Sequence, residues 1–150
     1  MTATSASWKN LRPPAERESL GFEDVFTDAD AERMMRGVVP EQMEDKWFIY
    51  FADGWLRFHR SWTGAFIYAL RMAGCPAGVR IVESWVNRNP QQYSGSDTAY
   101  DRKLVRFLID AFLLQKPGAT FPMPPNAATA PSGLVQHSAV GRANPESSSE

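Results

Sequence analysis

The sequence predicts an α+β domain: a four-stranded antiparallel β-meander, a long C-terminal helix packed on one face, and a short N-terminal helix. Three observations carry this. Strand-like runs rich in aromatic and aliphatic residues between 46 and 86 are separated by turn residues. Asp53-Gly54 stands between two of those runs, the pair a two-residue hairpin favours. Near the C-terminal end, Leu104, Val105, Phe107, Leu108, Ala111, Phe112 and Leu114 recur at helical spacing.

Taken in chain order, Thr27-Asp28-Ala29-Asp30 reads as a helix start, with Thr27 as N-cap and acids in the first turn. Gly37 and Pro40 end that helix, and Ala31, Met34, Met35 and Val38 give it one weak apolar face that must dock to be stable. The strands follow as Lys46–Ala52, Trp55–Arg60, Ala65–Met72 and Val79–Val86, with Ser61–Gly64 and Ala73–Gly78 as loops. A type I′ turn at Asp53-Gly54 opposes Phe51 to Leu56, Tyr50 to Arg57, Ile49 to Phe58, Phe48 to His59 and Trp47 to Arg60. A four-residue loop at Ser61–Gly64 then sets Phe58 against Ile67, Arg57 against Tyr68 and His59 against Phe66. The long helix is expected from Ser96 or Asp97 to about Gln115, stopped by Pro117-Gly118.

Alternation sorts the strand residues into two faces. Face one holds Trp47, Ile49, Phe51, Leu56, Phe58, Ala65, Ile67 and Ala69, an ordinary core surface with Arg60 at its end, and takes the long helix. Face two holds Phe48, Tyr50, Trp55, Arg57, His59, Phe66, Tyr68 and Leu70, aromatic but with an arginine and a histidine among the rings. It needs cover from the N-terminal arm, a partner or a ligand.

Composition marks the boundaries. Residues 44–116 contain 14 of the 18 aromatics and a net charge of +3, so the core lies there, whereas the first 43 residues carry a net −3. The organisation expected is a flexible arm over 1–19, a single α+β domain over 20–117, and a disordered tail over 118–150, rich in Pro, Ala and Ser and poor in large apolar groups. No apolar run approaches the roughly 20 residues of a membrane span, and Met1–Asn10 has no secretory apolar stretch, so a cytoplasmic protein is expected. One cysteine, Cys75, and two histidines supply no zinc set, and the acids between Glu23 and Glu32 lack calcium-loop spacing. No metal and no cofactor is expected.

The candidate ligand-binding residues are Arg57, His59, Arg60, Ser61, Trp62, Thr63 and Tyr68. An arginine can pair with phosphate or carboxylate while a ring stacks on a planar group, and loops on rigid scaffolds are common places for such a pocket. Alternatively Ser61, Thr63 and Gly64 are plain turn residues and Arg60 stacks on Trp47 across the strand. His59 could act as a general base with Glu83 or Tyr68, although spacing specifies no nucleophile. Aromatic rings on a sheet resemble single-strand nucleic-acid platforms in kind, but a net +3 is weak for a phosphate backbone, so nucleic acid is not expected as a partner. Arg102, Lys103 and Arg106 read as a solvated helix face.

The stretch Glu44-Asp45-Lys46-Trp47-Phe48-Ile49-Tyr50 through Leu56-Arg57-Phe58-His59-Arg60-Ser61-Trp62-Thr63-Gly64 resembles the signature of a family of small, uncharacterised bacterial proteins, over roughly a seventh of the chain. The resemblance implies a bacterial cytosolic protein and carries no activity. From the residues themselves, the expected function is a small binding or interaction module for an anionic or nucleotide-like ligand or a protein partner. The alternatives are a small enzyme acting on a nucleotide- or ADP-ribose-like substrate through His59, Arg60 and Glu83, and an immunity-type inhibitor protein.

Overall fold

Asp53 and Gly54 both take positive φ, 54° and 86°, the backbone that lets two residues reverse the chain with the right twist. The turn pairs β3 (Trp47–Ala52) with β4 (Trp55–Arg60) in the expected register, Phe51 to Leu56 through Trp47 to Arg60. The structure, a computed structural model, describes residues 2–42, 45–119 and 121–122. The tail expected over 118–150 therefore lies, from 123 onward, outside the described residues. Phe121 is buried, its ring centre 5.5 Å from that of Phe107.

Among the described residues the fold is α+β, but the sheet has six antiparallel strands rather than four. Ahead of β3 come β1 (Arg17–Ser19), β2 (Val25–Phe26) and helix α1 (Asp28–Arg36); after β4 come β5 (Phe66–Cys75) and β6 (Gly78–Asn87). The order across the sheet is β1-β6-β5-β4-β3, with β2 also on β6. The two extra strands have three and two residues and no alternation to betray them. They are held from outside, because Arg102 donates to Leu20 O at 3.0 Å and Arg106 pairs with Asp24. Those arginines thus pin the β1–β2 connection instead of forming a merely solvated face. The Gly/Pro loop expected at Ala73–Gly78 is mostly strand: β5 runs to Cys75, which faces Gly78.

One extra residue changes the face assignment. His59 faces Phe66 as expected, but Phe58 faces Tyr68 and Arg57 faces Ala69, so Ile67 is a bulge between two paired positions. Beyond a bulge the alternation is offset by one residue. Tyr68 and Leu70 therefore join Trp47, Ile49, Leu56 and Phe58 in the main core on face one, while Ala69 moves to face two.

Helix α1 is capped as read: Thr27 Oγ1 accepts from Asp30 N at 3.1 Å, and Gly37 closes the other end with its N–H on Met34 O. The long C-terminal helix is corrected to an 11-residue helix α2 (Thr98–Leu108), capped by Asp97, followed by a π-helical turn over Ile109–Leu113. The wider turn, closed by Leu114 N on Ile109 O at 2.8 Å, keeps Ile109, Leu113 and Leu114 all buried. Leu104, Val105, Phe107 and Leu108 of α2 and Met34 of α1 share the core over face one.

Gly37 has φ 68°, and a Cβ there would lie 2.1 Å from Ile49 O, where Val38 and Ile49 exchange backbone hydrogen bonds at the outer edge of β3. At Gly54 a Cβ meets nothing within 4 Å. We therefore expect Gly54→Ala to cost about 1 kcal/mol of turn strain and Gly37→Ala roughly 3 kcal/mol or more, read as urea-unfolding midpoints. Equal losses would contradict the close approach at Gly37.

Candidate functional site

On face two, β3, β4, β5 and β6 present a cross-strand ladder of rings. Phe48 stacks on Tyr50 at 5.1 Å, Tyr50 on His59 at 5.6 Å, His59 on Phe66 at 4.4 Å, and Phe66 meets Trp85 at 4.7 Å. Arg17 of β1 caps the ladder, its guanidinium carbon 5.4 Å from the Trp85 ring centre. Phe48 and Tyr50 are neighbours on β3; the other pairs cross strands, and each such pair adds stability of the order of 0.5–1 kcal/mol beyond area burial.

The N-terminal segment, expected as a flexible arm near this face, lies across one end of the ladder as a strap. Ala3 is buried with Phe48 and Tyr50, and its N–H donates to Arg36 O at 2.7 Å. Trp8 Nε1 donates to Ser61 O at 2.7 Å, Lys9 Nζ to Trp62 O at 2.9 Å, and Leu11 N to Gly64 O at 2.8 Å. Three carbonyls of the Ser61–Gly64 turn are the cleat for that strap.

The turn's own polar groups are spent locally. Ser61 is buried and donates from Oγ to Asp45 O at 2.5 Å, while Thr63 Oγ1 accepts from Ala65 N at 3.1 Å. Trp62 is 55% exposed, with Lys46 Nζ 3.6 Å above its ring. Arg60 turns to face one and lies 5.1 Å over Trp47, the cross-strand stacking weighed above, and burial lowers its pKa. The seven candidate residues are therefore not one pocket. Arg57 and His59 share face two, Arg60 and Tyr68 share face one, and Ser61, Trp62 and Thr63 hold the turn and the strap.

Arg57 and His59 are the pair the structure brings together. Arg57 keeps its guanidinium carbon 5.7 Å from the Tyr50 ring and 5.9 Å from the Phe66 ring. Its Nη2 donates to Ala52 O at 3.2 Å and lies 3.7 Å from Asp53 Oδ2 on a 91% exposed side chain, while Nε is buried with no hydrogen-bond partner. His59 is 1% exposed, with Nδ1 2.9 Å from Gly64 O and Nε2 buried and unbonded. Burial, with a smaller contribution from the Arg57 charge, pushes the His59 pKa down from 6.5 to about 4, against the opposing pull of the Gly64 hydrogen bond. A neutral imidazole follows near pH 7. The enzyme constellation does not assemble, since Glu83 sits exposed beside Arg71 at 3.6 Å and Arg60 lies on the opposite face from His59.

A second polar cluster escaped the sequence reading. Asp101, fully buried in the first turn of α2, accepts from Tyr68 Oη at 2.9 Å, Tyr93 Oη at 2.5 Å and Arg88 Nη2 at 2.7 Å. Arg88 also donates to Glu18 Oε1 at 2.7 Å and Gly95 O at 3.0 Å, tying β1, β6 and the β6–α2 loop to α2. Burial raises the Tyr68 and Tyr93 pKa values further beyond neutrality, so both hydroxyls stay protonated and donate. An acid on the apolar side of a helix was the available hint. A groove of about 590 Å³ beside β6 is lined by Val25, Val82, Arg80, Glu23 and Glu83 among others, and contains none of the seven residues. Among the described residues no group of three His, Cys, Asp or Glu side chains is placed to hold a metal, and no helix is long and apolar enough to cross a membrane.

No protein-family model, curated protein or solved structure matches the chain.

Two outcomes test this geometry. His59 binds a proton less readily folded than unfolded, so its contribution is undiminished above pH 6.5 and is lost as pH falls toward about 4. The loss reaches about 3 kcal/mol, and we expect it as a fall in urea midpoint across that window that is shallower in His59→Gln. Asp101→Ala removes the buried acceptor shared by Tyr68, Tyr93 and Arg88, although Arg88 keeps Glu18 and the two hydroxyls keep each other; a loss of about 2–3 kcal/mol is expected, with loosening of α2 seen as faster amide exchange in 98–113.

Proposed function

We propose that the protein is a small binding module for an anionic ligand that carries a planar group, held on face two at Arg57. One observation carries the reading. Arg57 is a mostly buried guanidinium set between two aromatic rings, yet its Nε has no acceptor and its nearest carboxylate is a solvent-exposed side chain 3.7 Å away. An arginine so placed offers charge and a stacking plane together, which suits a phosphate or carboxylate joined to a flat ring. Trp55, two residues along β4, and Trp85, on β6, are both partly exposed and extend the aromatic surface around it. The turn at Ser61–Gly64 takes the supporting role of anchoring the strap. The resemblance of the Glu44–Gly64 stretch adds the expectation of a bacterial cytosolic setting.

Thermal-shift titration of the full chain with inorganic phosphate, ADP-ribose and nucleoside monophosphates tests this. A ligand at a hundred times its Kd stabilises the native state by about 2.7 kcal/mol, several degrees for a domain of this size. The expected result is a shift with at least one nucleotide that Arg57→Ala removes. Arg60→Ala should lower the unliganded melting temperature through lost packing on Trp47 and keep the shift. A shift that survives in Arg57→Ala, or no shift with any compound, would overturn the reading.

A further inference from the structure

We infer that the open half of face two is a track for single-stranded nucleic acid, with Arg57 as one contact along it. This rests on the binding reading above and extends it from one nucleotide to a strand. Directly paired residues of neighbouring strands share a face, so the sheet register fixes what lies beside Arg57. Arg57, Ala69 and Trp85 make one row across β4, β5 and β6, and Trp55, Arg71 and Glu83 make the next, two residues along. Arg80, opposite Ala73, follows toward the β5–β6 turn, while Arg17, opposite Asn87, lies at the other end over Trp85.

Each row sets a ring near a cation. Trp55 is partly exposed and, among the described residues, has no ring or cation stacked on it, with Arg57 beside it on β4 and Arg71 opposite on β5. Trp85 carries Arg17. The two tryptophans stand two strands and one row apart, about 12 Å at Cα, so one planar group cannot lie on both. Along β6, Arg80 and the Arg17 partner Asn87 are about 20 Å apart. A mononucleotide fills one ring and one arginine of this surface; a strand, which repeats base and phosphate, matches the repeat. Arg17, Arg71 and Arg80 are exposed and Trp55, Arg57 and Trp85 half-buried, so such a ligand lies on the sheet and enters no closed space.

Charge points the same way. The net +3 of residues 44–116 counts against a phosphate backbone only if it is spread evenly, and the fold does not spread it evenly. This half-face gathers four arginines against two acids, Glu83 at 3.6 Å from Arg71 and Asp53 at 3.7 Å from Arg57. Among the described residues neither Arg17 nor Arg80 has a carboxylate within 4 Å. Phosphates complement the arginines, and the rings call for unpaired bases, since those of a duplex are already stacked on one another. An acidic polypeptide is the competing occupant: it would serve the arginines and leave the tryptophans unused.

Fluorescence anisotropy of the full chain with a labelled oligothymidylate of about twelve nucleotides separates these. Expected is binding about tenfold or more tighter than that of TMP or of the same oligonucleotide paired in a duplex. Trp55→Ala should weaken it about fivefold or more, the loss of one stacked base. Arg80→Gln should reduce the slope of log K against log salt by about 0.7, the loss of one phosphate contact. Lys103→Gln makes the same charge change at an exposed position of α2, away from face two, and should alter neither affinity nor slope. Oligothymidylate that binds no tighter than TMP, or that Trp55→Ala leaves untouched, would sink the strand inference; TMP binding lost in Arg57→Ala would then keep the nucleotide reading alone. Polyglutamate bound as tightly as the oligonucleotide would assign the face to an acidic protein and rule out the strand. Silence of TMP and oligothymidylate alike would end both readings.

Discussion

The bulge at Ile67 is the constraint on which the two faces of this protein depend. With strict alternation Tyr68 would join His59 and Phe66 on face two. The extra residue rotates it into the main core instead, where it stacks on Trp47 at 5.8 Å and its hydroxyl reaches Asp101. That contact gives α2 a fixed seat, because the same carboxylate holds Tyr93 and Arg88, and Arg88 holds the β1 residue Glu18. One inserted residue thereby couples sheet register to helix docking and to the attachment of the N-terminal strand.

The consequence is a division of labour between the faces. Face one is covered by α1, α2 and the π-helical turn, and its buried acid is fully engaged by three donors. Among the described residues no helix covers face two. Its cover at one end is the strap, which bonds three backbone carbonyls of the Ser61–Gly64 turn and Arg36 O, while Arg57 Nε and His59 Nε2 of β4 are buried without a partner. Gly64 O is a junction in this arrangement, accepting from Leu11 N and from His59 Nδ1, so the strap and the histidine tautomer share one atom.

The conspicuous turn sequence is accounted for by this anchoring. Ser61, Trp62 and Thr63 look like ligand residues because hydroxyls and an indole cluster at a strand end. Their hydroxyls are taken up by backbone groups, Ser61 Oγ on Asp45 O and Thr63 Oγ1 by Ala65 N, while the Ser61 and Trp62 carbonyls hold the strap. Chemistry read from residue type alone cannot distinguish a side chain that faces a ligand from one that closes its own turn.

Local rules sufficed for much of the molecule. The β3–β4 register followed from Asp53-Gly54, because both residues accept positive φ and a two-residue turn leaves one pairing. The caps of α1 and the start of α2 at Asp97 followed from side chains that bond the first free N–H groups. What lay beyond the sequence shares one physical cause, dependence on partners distant in the chain. Strands β1 and β2 exist because β6 is long enough to carry both and because Arg102 and Arg106 clamp the segment between them. The bulge at Ile67 is chosen by packing against Trp47 and Asp101, since no local residue demands it. Arg57 and His59 on one face could be read from period-two spacing; their lack of partners could not, because burial and hydrogen bonding are decided only when the strap and the neighbouring strands close around them.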